Sequence, residues 1–142
     1  MIKRAILCLA LALASGSVAA ERKGPGAHDL RLPVVVGEDS GPAQLEVGQL
    51  LEVRLPMQAG TGYSWTPASG LSPNIELVTQ VTLHPLGEQG MVGGSQTQMF
   101  IYRAIAPGEV TLTFGYRRPW EAGVPPARTV DQRVTIGPWQ MR

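Results

Sequence analysis

Thr97-Gln98-Met99-Phe100-Ile101-Tyr102, Ala106-Pro107-Gly108-Glu109 and Val110-Thr111-Leu112-Thr113-Phe114 together decide the fold. In the first piece Thr97, Met99 and Ile101 alternate with Gln98, Phe100 and Tyr102, a period of two that belongs to an extended strand. Both of its faces are fairly apolar, which fits a strand in the middle of a sheet. The second piece is a turn, with proline where φ is already close to the required value. The third alternates again, with Val110, Leu112 and Phe114 on one face and threonines on the other.

Reading outward, the same pattern repeats. Leu51, Val53 and Leu55 alternate with Glu52 and Arg54 in a half-buried strand, which Pro56 is expected to end. Before it, Ala43 to Val47 reads as a short strand closed by Gly48-Gln49. Asp29 to Val36 reads as a first strand, which Pro33 either places at a sheet edge or gives a bulge, followed by the turn cluster 38–42. Tyr63 to Thr66 is short and aromatic, and 67–74 is a loop. Ile75 to Leu83 carries β-branched residues in two strand-like pieces. The longest glycine-rich loop is 85–94, and 117–126 is another loop. Val130, Val134 and Ile136 mark the last strand. No segment shows a helical period with caps. Seven or eight short strands, with a turn every 8–12 residues or roughly so, predict an antiparallel β-sandwich of immunoglobulin-like type. The Cys…Trp…Cys framework of antibody domains is missing.

The N-terminus reads as a leader. Lys3 and Arg4 precede an apolar run from Ala5 to Ala14, and Val18-Ala19-Ala20 supplies small residues for cleavage after Ala20. The run is too short to span a bilayer. Residues 21–142 are then one domain, with 21–27 as a loose tail. Cys8, the single cysteine, leaves with the leader, so no disulfide, thiol nucleophile or cysteine metal site is expected. Export to a periplasm or to the outside follows. The full chain carries +1; Lys3 and Arg4 account for +2, so without them it carries −1. No basic stripe or acidic run remains, which argues against nucleic acid and, once the leader is gone, against a membrane.

Catalytic sets are absent. His28 and His84 read as exposed polar residues, and no nucleophile elbow places a serine. His, Asp and Glu do not cluster at metal-ligand spacings, and Gly93-Gly94 is not set between a strand and a helix as a phosphate loop would be. No enzyme, cofactor or metal is therefore expected. The loops instead hold contact residues, namely Gly, Pro, Thr, Tyr, Trp and Arg.

Three loops stand out. In loop one, residues 58–65, Gly60 and Gly62 flank Thr61 and allow a sharp bend, while Tyr63 and Trp65 fall on one strand face and anchor its base. Loop two, 88–95, holds Met91, Val92, Gly93 and Gly94 and, taken alone, reads first as a plain connector. Loop three joins Arg117, Arg118, Pro119, Trp120 and Glu121: a stiff segment with a large aromatic surface, unless Trp120 folds onto the core and Arg118 pairs with Glu121. Alternate connections of a sandwich lie at one end, so the three are expected to converge.

Thr61-Gly62-Tyr63-Ser64-Trp65, then Gly93-Gly94, then Arg118-Pro119-Trp120 stand in the order and spacing of the chagasin-like inhibitors of papain-type cysteine peptidases, which the chain resembles from about Ala43 to Ile136. The resemblance implies an immunoglobulin-like sandwich acting as a monomer on a papain-like peptidase, reversibly. It implies that Gly60, Thr61 and Gly62 sit over the peptidase's catalytic cysteine and histidine, with Tyr63 among the binding residues, that Met91 to Gly94 run along one cleft wall, and that Arg118, Pro119 and Trp120 grip the other. Loop one departs from the family's usual Asn-Pro-Thr-Thr-Gly: Gln58-Ala59-Gly60-Thr61-Gly62 lacks the proline and the first threonine. In loop two, Met91 stands where the family has the leading glycine of Gly-x-Gly-Gly. A looser loop loses more entropy on docking, so weaker binding or a different preferred peptidase is expected. The alternative is a secreted immunoglobulin-like module whose loops bind a glycan or an envelope partner, with Trp120 as a stacking platform.

Overall fold

A computed structural model describes residues 31–68, 72–86 and 94–140. The leader, the tail, His28 and the loop-two residues Met91, Val92 and Gly93 lie outside the described residues. Eight strands follow in order: β1 (Val34–Val36), β2 (Ala43–Glu46), β3 (Leu50–Gln58), β4 (Ser64–Pro67), β5 (Ile75–Leu83), β6 (Ser95–Ala104), β7 (Gly108–Arg117) and β8 (Arg128–Gly137). They form two four-stranded sheets, β1-β3-β6-β5 and β2-β8-β7-β4, the sandwich predicted from the alternating pattern.

The inward residues are those the period of two selects. Leu51, Val53 and Leu55 from β3, Phe100 and Tyr102 from β6, Leu112 and Phe114 from β7, and Val134 and Ile136 from β8 are all buried. Phe100 meets Phe114 at 4.9 Å between ring centroids, and the Tyr102 ring stands edge-on to Phe114 at 6.2 Å, so aromatic contacts bridge the sheets. β6 is central, as its two apolar faces imply.

Three details differ from the sequence reading. The sheets are mixed, not purely antiparallel: β1 pairs in parallel with β3, and β2 in parallel with β8. Both are short edge strands that the chain reaches by crossing between sheets, so no hairpin forces them antiparallel. Pro56 does not end its strand, because β3 runs on to Gln58. Its neighbour β1 reaches only Val53, so the missing N–H leaves no gap in a ladder on that side, and the Pro56 carbonyl there accepts from Trp65 Nε1 at 2.8 Å. The two pieces of residues 75–83 are one strand, β5, with a register shift between Leu77 and Thr79.

Among the described residues, the short β4 pairs with β7 on one side and with no strand on the other. On its other side the buried Gln98 side chain takes the place of a strand: Oε1 accepts from the Trp65 amide at 2.8 Å and Nε2 donates to the Trp65 carbonyl at 2.9 Å. Both polar atoms of the Gln98 side chain thus have a partner within the core, as buried polar atoms generally do.

Candidate functional site

Strand register brings the loop ends together. Gln58, the last residue of β3, pairs with Ser95, the first of β6. Ser64, the first of β4, pairs with Arg117, the last of β7. The β3–β4 and β7–β8 connections and the start of β6 therefore share one end of the sandwich.

Loop one bends through two glycines with left-handed backbones, Gly60 at φ 84° and Gly62 at φ 77°. That region is open to glycine and costly for other residues. Between them Thr61 works as a staple: its hydroxyl donates to the Gln58 carbonyl at 2.9 Å and accepts from the Tyr63 amide at 3.3 Å. The Gln58 amide in turn donates to Tyr116 Oη at 3.2 Å, and the Ala59 amide to the Gly94 carbonyl at 3.1 Å. Gly94 thus touches loop one. Gly60 and Thr61 remain exposed at the tip.

Below the tip the aromatics form a stack. Tyr63 lies on Tyr116 at 5.3 Å, and Trp65 meets Tyr116 at 4.9 Å. Trp65 is buried and Tyr63 half-buried, which anchors the loop base as expected. Tyr116 was not evident as a site residue from sequence. Its only signal is an aromatic side chain two positions before Arg118.

Loop three reaches across to loop one. Arg118 Nε donates to the Thr61 carbonyl at 3.2 Å, its guanidinium carbon sits 4.6 Å from the Tyr63 ring centroid, and Nη1 pairs with Glu121 at 3.1 Å. The Arg118–Glu121 pairing weighed from sequence therefore occurs, but Trp120 does not fold onto the core: it is 69% exposed. One edge of its ring instead covers Gly62, where a Cβ would lie 2.3 Å from Trp120 Cη2. Pro119 is exposed between them. Gly60, Thr61, Gly62, Tyr63, Gly94, Arg118, Pro119 and Trp120 thus occupy one edge. A depression of about 490 Å³ flanks it, lined by Met57, Thr61, Tyr63, Tyr116, Arg118 and Arg128. His84 is exposed, just beyond the end of β5.

The profile of the Chagasin family peptidase inhibitor I42 matches residues 44–134. Amoebiasin-2 of Entamoeba histolytica is 28% identical over 102 residues, covering 70% of this chain and 80% of that protein. Chagasin of Trypanosoma cruzi is 30% identical over 76 residues, covering 52% of this chain and 69% of its own. The crystal structure of the cysteine protease inhibitor EhICP2 from Entamoeba histolytica superposes with a TM-score of 0.63 at 25% identity, covering 74% of this chain and 96% of that one.

Proposed function

The chain belongs to the chagasin family of peptidase inhibitors, and from that premise we propose that it is a reversible inhibitor of papain-like cysteine peptidases, with loop one as the wedge that enters the cleft. It is an inhibitor, not an enzyme. The observation that carries the wedge is the glycine-bent tip, with Gly60 and Thr61 exposed and Gly62 under the Trp120 ring, tied sideways to Arg118.

The physics of such a wedge is simple. A peptidase cuts a backbone held extended across its nucleophile, at an attack distance of roughly 3–3.5 Å. Left-handed turns at Gly60 and Gly62 do not offer that extended run, so the tip can fill the cleft and exclude water and substrate without presenting a scissile bond. Trp120 offers a rigid apolar surface beside it, and the family resemblance assigns the opposite cleft wall to Met91 to Gly94. Loops fixed on a sandwich lose little entropy on docking. The leader reading extends the proposal to an exported inhibitor, periplasmic or secreted.

Titration of residues 21–142 into papain and cathepsin L, read by hydrolysis of a fluorogenic peptide, tests this. Reversible loss of activity is expected. Trp120→Ala should weaken it by about 30-fold or more, as truncation of a central aromatic contact does. Folded protein that leaves both peptidases active at micromolar concentration would refute the proposal and favour a glycan or envelope ligand.

A further inference from the structure

Loop one has no proline between Gln58 and Trp65 and contains two glycines, the residue that loses most conformational freedom on folding. Left to itself such a segment would sample many shapes. Its own staple, the Thr61 hydroxyl, fixes only the inner turn. The Thr61 carbonyl, at the apex, is held from outside, by Arg118 Nε. The same guanidinium lies over Tyr63, the residue that closes the loop, and is itself held by Glu121. Trp120 covers the Gly62 α-carbon so closely that no side chain fits beneath it.

We infer that Arg118 is a positioning residue: it holds loop one in its docking shape from loop three, and does not itself grip the peptidase. Building on the inhibitory reading, this assigns the two loops as one pre-formed unit. Each of the three Arg118 contacts uses a different feature of the guanidinium. Nε donates to the carbonyl, Nη1 meets the carboxylate, and the flat face lies on the ring. A lysine keeps the charge but has one compact donor group and no flat face. Charge alone therefore cannot replace it. Trp120 is then divided in use: the ring edge over Gly62 completes the unit, and the exposed remainder is left for the partner.

The experiment compares wild type, Arg118→Lys and Arg118→Ala in two measurements. The first is amide hydrogen exchange of Ala59 and Tyr63 in the free inhibitor, with no peptidase present. The second is inhibition of papain. With the latch removed, exchange at both amides should rise about tenfold in both variants, the loss of one well-placed hydrogen bond to a charged group. Exchange in the strand centres at Val53 and Leu112 should stay unchanged. Inhibition should weaken by a similar factor, with lysine no better than alanine. Unchanged exchange at Ala59 and Tyr63 would overturn the inference whatever happens to inhibition. So would full recovery of inhibition by lysine, which would mark a charge contact with the peptidase. If the wild type does not inhibit papain, the inhibitory reading fails, and the exchange measurement still decides whether Arg118 holds the loop.

Discussion

Tyr102 is fully buried, and its hydroxyl has no hydrogen-bond partner among the described residues. Burial disfavours the phenolate and pushes its pKa up to about 12 from 10.0. The consequence for stability has a definite sign. Below pH 10 the group is neutral in both folded and unfolded chains, and its contribution is constant. Between 10 and 12 the unfolded phenol ionises while the folded one does not, so stability falls with rising pH. The total loss is about 2–3 kcal/mol once the pH has passed through the folded value. Urea denaturation at pH 8 and pH 11.5 should therefore show a steeper fall for wild type than for Tyr102→Phe. At pH 8 the phenylalanine variant should match or exceed wild type by about 1 kcal/mol, since an unpaired buried hydroxyl is removed. A wild type no more alkali-sensitive than the variant would show that the folded phenol ionises as readily as the unfolded one, and so is not held away from water. Burial of Tyr102 is legible in the sequence, because it alternates in phase with Phe100. The unpaired hydroxyl is not, because pairing depends on which side chains the opposite sheet brings near. The same limit applies at Gly62: its flexibility can be read from its type, but the Trp120 ring above it cannot.

Elements were legible where alternation was long, and misread where a neighbour overrode local chemistry. The 10-residue strands β6, β7 and β8 follow from period two alone. A proline normally ends a strand, but at Pro56 β3 has β6 on one side and no strand on its β1 side, so the missing N–H breaks no ladder there and the strand continues. The parallel edges could not be read from sequence, since they depend on where the chain crosses between sheets. β4 is the sharpest case: with four residues and one neighbouring strand, it owes its place to Gln98. Gln98 was visible only as a polar residue in a central strand. Gln98→Leu keeps the volume but leaves the Trp65 amide and carbonyl without partners. It should cost about 2–4 kcal/mol, each orphaned backbone group costing 1–3. Thermal unfolding should fall by about 10 °C or more. Because Trp65 also ties to the Pro56 carbonyl at the base of loop one, inhibition should weaken alongside stability. A leucine variant as stable as wild type would show that packing, not the amide, holds β4.

At the scale of the whole molecule, the site exists only because topology gathers distant segments. Nothing local to residues 58–65 points toward residues 117–121. The resemblance to the chagasin family suggested that they act together, and the β4–β7 register and the β3–β6 register supply the reason. The buried core that enforces these registers begins at Val36 and ends at Ile136. Two ion pairs fasten its margins: Arg31 with Glu46, where Arg31 Nη2 also donates to the Gln140 carbonyl at 2.6 Å, and Arg128 with Glu38. A chain that begins at Arg31 therefore keeps every buried residue described, every strand and all three loops. It should unfold within about 2 °C of residues 21–142, since a change that small corresponds to well under 1 kcal/mol for a domain of this size. It should also inhibit papain equally. A stable but weakened truncated inhibitor would place part of the binding surface before Arg31, and would mean that three loops alone do not account for the affinity. A truncated chain that melts much earlier would mean instead that the segment before Arg31 supports the edge strand β1, and through it the β3–β6 register on which loop one depends.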